Sequence, residues 1–142
     1  MRRLTLPLAG LLCALGAAAC GSSLLSQIPT APSSSPKTDT FAGQLTTNGG
    51  TSFSFTTVAS GPVKATLTDV GGGIAIGFSL GTWDGTTCHL VMANDAAVAG
   101  AVLSGTASSA GTYCVHVYDP SPSTVTDAVS YSVNVEYPGP KT

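Results

Sequence analysis

From Thr40 onward, large apolar residues recur at every second position, and Gly, Pro, Asn, Asp and Ser break the runs roughly every eight to twelve residues. The clearest run lies near the C-terminus. Val129, Tyr131, Val133, Val135 and Tyr137 alternate with Ser130, Ser132, Asn134 and Glu136, which predicts a strand with one face on a core and one in water. The same period marks Phe41-Gly43-Leu45, then Phe53-Phe55 after an Asn48-Gly49-Gly50 turn, then Val63-Ala65-Leu67 after Gly61-Pro62. Ile74, Ile76, Phe78 and Leu80 follow three glycines, with small Ala75, Gly77 and Ser79 between them. Cys88 to Met92, Val98 to Gly105 and Thr112 to Tyr118 complete a set of about eight strands, and helix is expected only as one turn within Asp95 to Gly100. Short strands in that number over about 100 residues predict an all-β fold, an antiparallel β-sandwich of jelly-roll-like form.

The first third of the chain follows other rules. Met1, Arg2 and Arg3 are a cationic start, Leu4 to Leu15 is an apolar run, and Gly16 to Ala19 are small, so residues 1–19 read as an export signal. The run is too short for a transmembrane helix, which needs about 20 apolar residues. Three alanines followed by Cys20 resemble the lipobox of bacterial lipoproteins, with Ala17 standing where leucine is commonest. That resemblance implies lipidation of Cys20 by a diacylglyceryl group, cleavage before it, and acylation of the new amine with a palmitate-type chain. The alternative is ordinary signal-peptidase cleavage after Ala17-Ala18-Ala19. Cys13 follows bulky Leu11 and Leu12 and does not fit a lipidation site. Residues 20–39 are Ser- and Pro-rich, and Pro29, Pro32 and Pro36 exclude a helix or a central strand, so this stretch reads as a linker. Leu24, Leu25 and Ile28 are apolar exceptions in it, suited to a membrane interface or to docking on the domain. The domain is then expected over residues 40–138, with a tail at 139–142.

Composition narrows the chemistry. Of 142 residues only 8% are charged against 43% apolar, and the formal net charge is -2. That is too few cations for a nucleic-acid partner and too much hydrophobicity for a disordered chain. With Cys13 removed and Cys20 lipidated, Cys88 and Cys114 remain as an even pair in an oxidising compartment, and a disulfide between them is expected. The competing reading is zinc held by Cys88, His89, Cys114 and His116. On strands, adjacent Cys88 and His89 point to opposite faces, so four ligands do not converge without a bulge. No Gly-x-Ser-x-Gly elbow, His-Glu-x-x-His or phosphate-binding loop is present. A Ser-His-Asp arrangement using His89 or His116 is allowed by composition alone. The acids Asp39, Asp69, Asp84, Asp95, Asp119, Asp127 and Glu136 fall mostly at turn-like positions rather than in pairs. No catalytic residue, metal or cofactor is therefore assigned. The expected contact residues are Trp83 and Asp84, in the turn Gly81 to Gly85, and Tyr118 before Asp119-Pro120.

Three phrases, Phe41-Ala42-Gly43-Gln44-Leu45, Ala110-Gly111-Thr112-Tyr113-Cys114-Val115-His116-Val117 and Tyr131-Ser132-Val133-Asn134-Val135, are similar to the bacterial pre-peptidase C-terminal (PPC) domain over residues 40–137. The resemblance implies a jelly-roll-like β-sandwich acting as an accessory module of exported enzymes, assisting attachment, secretion or folding. This chain departs from the pattern at Thr51, Ser52 and Ser54, where acids often precede the second-strand aromatic, and it carries no catalytic domain. The resulting expectation is a non-enzymatic lipoprotein of the bacterial cell envelope, extracytoplasmic and held to the membrane through Cys20. It binds or scaffolds an envelope protein or polysaccharide. The alternatives are a small secreted hydrolase and a soluble secreted accessory module.

Overall fold

The computed structural model describes residues 34–141. The expected export signal, Cys20, Leu24, Leu25 and Ile28 lie outside the described residues.

Eight strands follow one another: β1 (Ser34–Leu45), β2 (Gly50–Thr57), β3 (Gly61–Val70), β4 (Ile76–Trp83), β5 (Cys88–Ala97), β6 (Val102–Ala107), β7 (Gly111–Tyr118) and β8 (Val129–Pro140). They form two four-stranded sheets, A in the order β1-β8-β3-β6 and B in the order β2-β7-β4-β5. All pairings are antiparallel. Each connection except the β4–β5 hairpin passes from one sheet to the other. This winding is that of a jelly roll, and the expected sandwich is observed.

The alternating residues build the core. Phe78, Leu80, Val115 and Val117 of sheet B face Ala65, Leu67, Val133 and Val135 of sheet A, all buried. Full burial of each large side chain contributes roughly 1.5–3 kcal/mol before chain entropy is subtracted. No helix of the described residues is long and apolar enough to cross a membrane.

Three boundaries differ from expectation, each for a physical reason. The sandwich starts at Ser34, not Thr40, because Ser34 to Asp39 pair with Pro140 to Val135 of β8. These six residues carry no large apolar side chain, so periodicity cannot reveal them. They are held by polar contacts instead: Lys37 meets Asp39 at 3.0 Å, and the Tyr137 hydroxyl donates to Asp39. Pro36 is tolerated because β1 is an edge strand. At the other end β8 runs on to Pro140, so Gly139 and Pro140 of the expected tail belong to the sheet. Finally, Asp95 to Ala97 finish β5 rather than forming a helical turn, and the next strand starts at Val102 instead of Val98. Ala97 is buried opposite Ile76, and that packing overrides alanine's helix preference.

Candidate binding surface

The outward residues of sheet B are arranged around one run of small side chains. In β4, Ile76, Phe78 and Leu80 point into the core, so Gly77, Ser79, Gly81 and Trp83 share the outer face. Opposite them on β7 stand Tyr118, His116 and Cys114, paired with Gly77, Ser79 and Gly81 respectively. The small residues leave a trough, and the β7 side chains lean across it towards β5. A side chain at Gly77 would overlap the Tyr118 ring, whose hydroxyl donates to Asp95 on β5. Cys114 bridges to Cys88 at the start of β5, with a Cα–Cα distance of 5.8 Å. The two cysteines bonded to each other are no thiolate ligands, which removes the zinc reading. Among the described residues, no three His, Cys, Asp or Glu side chains converge as a metal site.

Tyr118 is thus a strut. Its ring stacks on His116 at 5.2 Å and 16°, and its phenol is pushed up to about 12, first by burial and then by Asp95. Ser52 of β2 lies beside His116 in register, its hydroxyl 2.9 Å from Nδ1. This pair has the residue types of a nucleophile and base, but among the described residues no carboxylate hydrogen-bonds the imidazole. It is a cross-strand contact of the sheet face.

His116 is shifted downwards, chiefly by burial, with the Thr51 backbone opposing. The unfolded chain therefore takes up this proton first, and stability falls as the pH drops below the ordinary 6.5. An NMR titration of the imidazole is expected to show a midpoint below 6.5, and His116→Gln to flatten the acid limb of the stability profile in that window. A midpoint at or above 6.5 would contradict the burial argument.

At the other end of the trough, the expected contact residues separate by role. Trp83 is the last residue of β4, half-buried, on the outer face beside Cys88, its partner in β5. Asp84 was expected as a ligand contact, but the turn occupies its carboxylate. Oδ1 accepts from the backbone N–H of Thr87 at 2.7 Å, from that of Thr86 at 2.8 Å and from the Thr86 hydroxyl at 3.0 Å, while Oδ2 meets His89 Nε2 at 2.7 Å. The Thr87 amide first, and then His89, hold the Asp84 carboxyl well below the usual range. Asp119 does the same for the turn after Tyr118. Desolvation opposes its ionisation, but Ser123 and the amides of Asn48, Thr124 and Val125 outweigh it and bring the carboxyl to about 2. Both acids are thus turn caps, the role their positions between strands favour.

The trough itself went unread in the sequence, although the spacing of Gly77, Ser79 and Gly81 on one strand was its visible sign. A small residue at each alternate position leaves room only if longer side chains on the neighbouring strand lean over it.

The structure thereby defines a class of protein, an eight-stranded jelly-roll sandwich with one stapled, aromatic-capped sheet face. Comparison agrees at the level of fold: the Yersinia pseudotuberculosis-derived mitogen superimposes with a TM-score of 0.55, 14% sequence identity, and coverage of 75% of this chain and 91% of the mitogen. At that identity the likeness is one of fold alone. No protein-family model and no curated protein matches the sequence.

Proposed function

We propose that this protein is a non-enzymatic binding module of the bacterial cell envelope, displayed on a stalk from a lipidated Cys20, with Trp83 as the anchor of its contact surface. The observation carrying this reading is the fixing of Trp83. The side chain is only partly buried, yet its backbone ends a strand, is followed by a four-bond Asp84 cap, and lies opposite the disulfide-bonded Cys88. A rigid, amphipathic aromatic loses little entropy on binding, which is why such residues dominate recognition surfaces. The lipobox-like Ala17-Ala18-Ala19-Cys20 and the PPC-like phrases support an exported, tethered accessory role.

Trp83→Ala is expected to reduce retention on isolated envelope about thirtyfold or more, the level of a binding hot spot, with the unfolding midpoint little changed. Crosslinked recovery from the native envelope, with protein and glycan fractions both analysed, identifies the partner class. Unchanged retention of the Trp83→Ala protein would sink the assignment of the surface. Turnover of a substrate that disappears in a His116→Ala variant would overturn the non-enzymatic reading.

A further inference from the structure

The four edge strands of the sandwich are finished differently. β1 carries Pro36, Lys37 and Asp39, β2 presents Ser and Thr, and β6 is only six residues long. Proline, charge and shortness are what keep a sheet edge from pairing with another chain. The long β5 has no such guard at its centre, where Leu90, Val91, Met92 and Ala93 follow one another. A bulge can also blunt an edge, but the one opposite Leu80 and Gly81 adds Val91, which is 71% exposed. Leu90, Val98 and Val102 are exposed too, so every large apolar side chain left exposed among the described residues lies on β5, on β6 or between them. Val91 and Met92 also line a cleft of about 250 Å³, together with Leu80, Ala107 and Tyr113.

That edge is complementary to a second copy of itself. In an antiparallel pair whose axis falls between Val91 and Met92, residue 91 of one copy meets 92 of the other, 90 meets 93 and 89 meets 94. Because the axis passes through the bulge, the extra residue of one strand is matched by that of the other, and the faces stay in step. Leu90 and Ala93 share the outer face, being paired with Gly81 and Ser79, and they meet there. Val91 and Met92, which line one cleft, cover the cleft of the other copy as well. His89, whose Nδ1 has no hydrogen-bond partner among the described residues, meets the Asn94 amide. Asp95 meets Cys88, so the aspartates of the two copies stand at opposite ends and no like charges face each other. An overlap from Cys88 to Asp95 is about 26 Å long and the two layered sheets about 20 Å deep, which covers roughly 530 Å² on each copy. The total of about 1,060 Å² reaches what a specific interface needs, at the weak and reversible end.

We infer that β5 pairs with β5 of a second copy of this chain, joining the two B sheets into one. A two-fold axis normal to the sheet keeps both outer faces on the same side, so the dimer presents two Trp83 side chains in one surface. Ser34 begins β1, at the edge of sheet A away from β6, so the point where the chain enters the sandwich is clear of the contact. The pairing does not depend on what Trp83 binds.

Sedimentation equilibrium of the exported protein over a concentration series, in density-matched detergent, tests this. The mass is expected to rise from monomer to dimer, and Val91→Lys to raise the dissociation constant about tenfold or more by setting like charges beside the axis. At a dilution where both chains are monomers, the variant is expected to unfold at the wild-type midpoint, since residue 91 is exposed there. Hydrogen exchange of the wild type needs no substitution. The amides of Leu90 to Ala93 are expected to slow about fivefold or more as concentration rises, and those of Ser52 to Ser54, on the opposite edge of sheet B, to stay unchanged. A monomer at every concentration overturns the inference. A dimer that Val91→Lys leaves intact, or whose β5 amides exchange at the monomer rate, overturns it too, by placing the contact elsewhere.

Discussion

Replacing Cys88 and Cys114 together with alanine is expected to lower the unfolding free energy by about 3.5 kcal/mol, the chain-entropy value for a loop of 26 residues. For a domain of this size that corresponds to a fall of about 14–28 °C in Tm. Calorimetry and urea unfolding check it, and a loss under about 1 kcal/mol would show that the bridge adds nothing to the sheet. The effect is local as well as global. The bridge joins β5 to β7, which are not neighbours, since β4 lies between them in sheet order. Two strand spacings come to about 9.5 Å, whereas the bridged Cα atoms are 5.8 Å apart, so the start of β5 is drawn over β4. The Trp83–Cys88 pair lies where that pull acts. Without the bridge, the amides of Thr86 and Thr87 are expected to exchange faster even under conditions where the core remains folded.

Much of this architecture was legible in the sequence, for reasons that also explain the gaps. Strands such as β2 and β8 announce themselves because half of their residues face a core, and burial of Phe55 or Val133 leaves a period of two. The disulfide was legible because the expectation of export, with Cys13 and Cys20 accounted for, leaves Cys88 and Cys114 as an even pair. Ser34 to Asp39 were not, since an edge strand held by Lys37, Asp39 and Tyr137 buries no apolar row. The candidate surface was legible only in part. Trp83 was expected in a turn and instead closes a strand, and Tyr118 and Asp84, expected as contact residues, are hydrogen-bonded to Asp95 and to the Thr86–Thr87 turn, which no local pattern announced. Side chains that reach across an intervening strand depend on which strands are neighbours, and sheet order is not written in any local pattern.

The same trough yields the second large prediction. Gly81→Ala is expected to destabilise the domain by about 3 kcal/mol, the upper part of the usual range for overpacking, although it adds one methyl group to an outward-facing position. Ordinary sheet surfaces accept alanine readily, but a Cβ at Gly81 would overlap the carbonyl oxygen of His89 and crowd Leu90 Cα. Both are backbone atoms, held by the β4–β5 pairing on one side and by the Cys88–Cys114 bridge on the other, so no side-chain rotation relieves the overlap. Gly105 provides the control. A Cβ there would come 3.3 Å from Met92 Cε, the end of a flexible side chain, so Gly105→Ala is expected to cost under about 1 kcal/mol. Urea unfolding midpoints of the two variants decide the matter. If Gly81→Ala matched Gly105→Ala, the start of β5 would not be pressed onto β4, and the rigid setting of Trp83 would lose its physical basis. If the loss is large but disappears when both cysteines are also replaced, the disulfide is what holds β5 against Gly81, and the two effects are coupled as neighbours in one network should be.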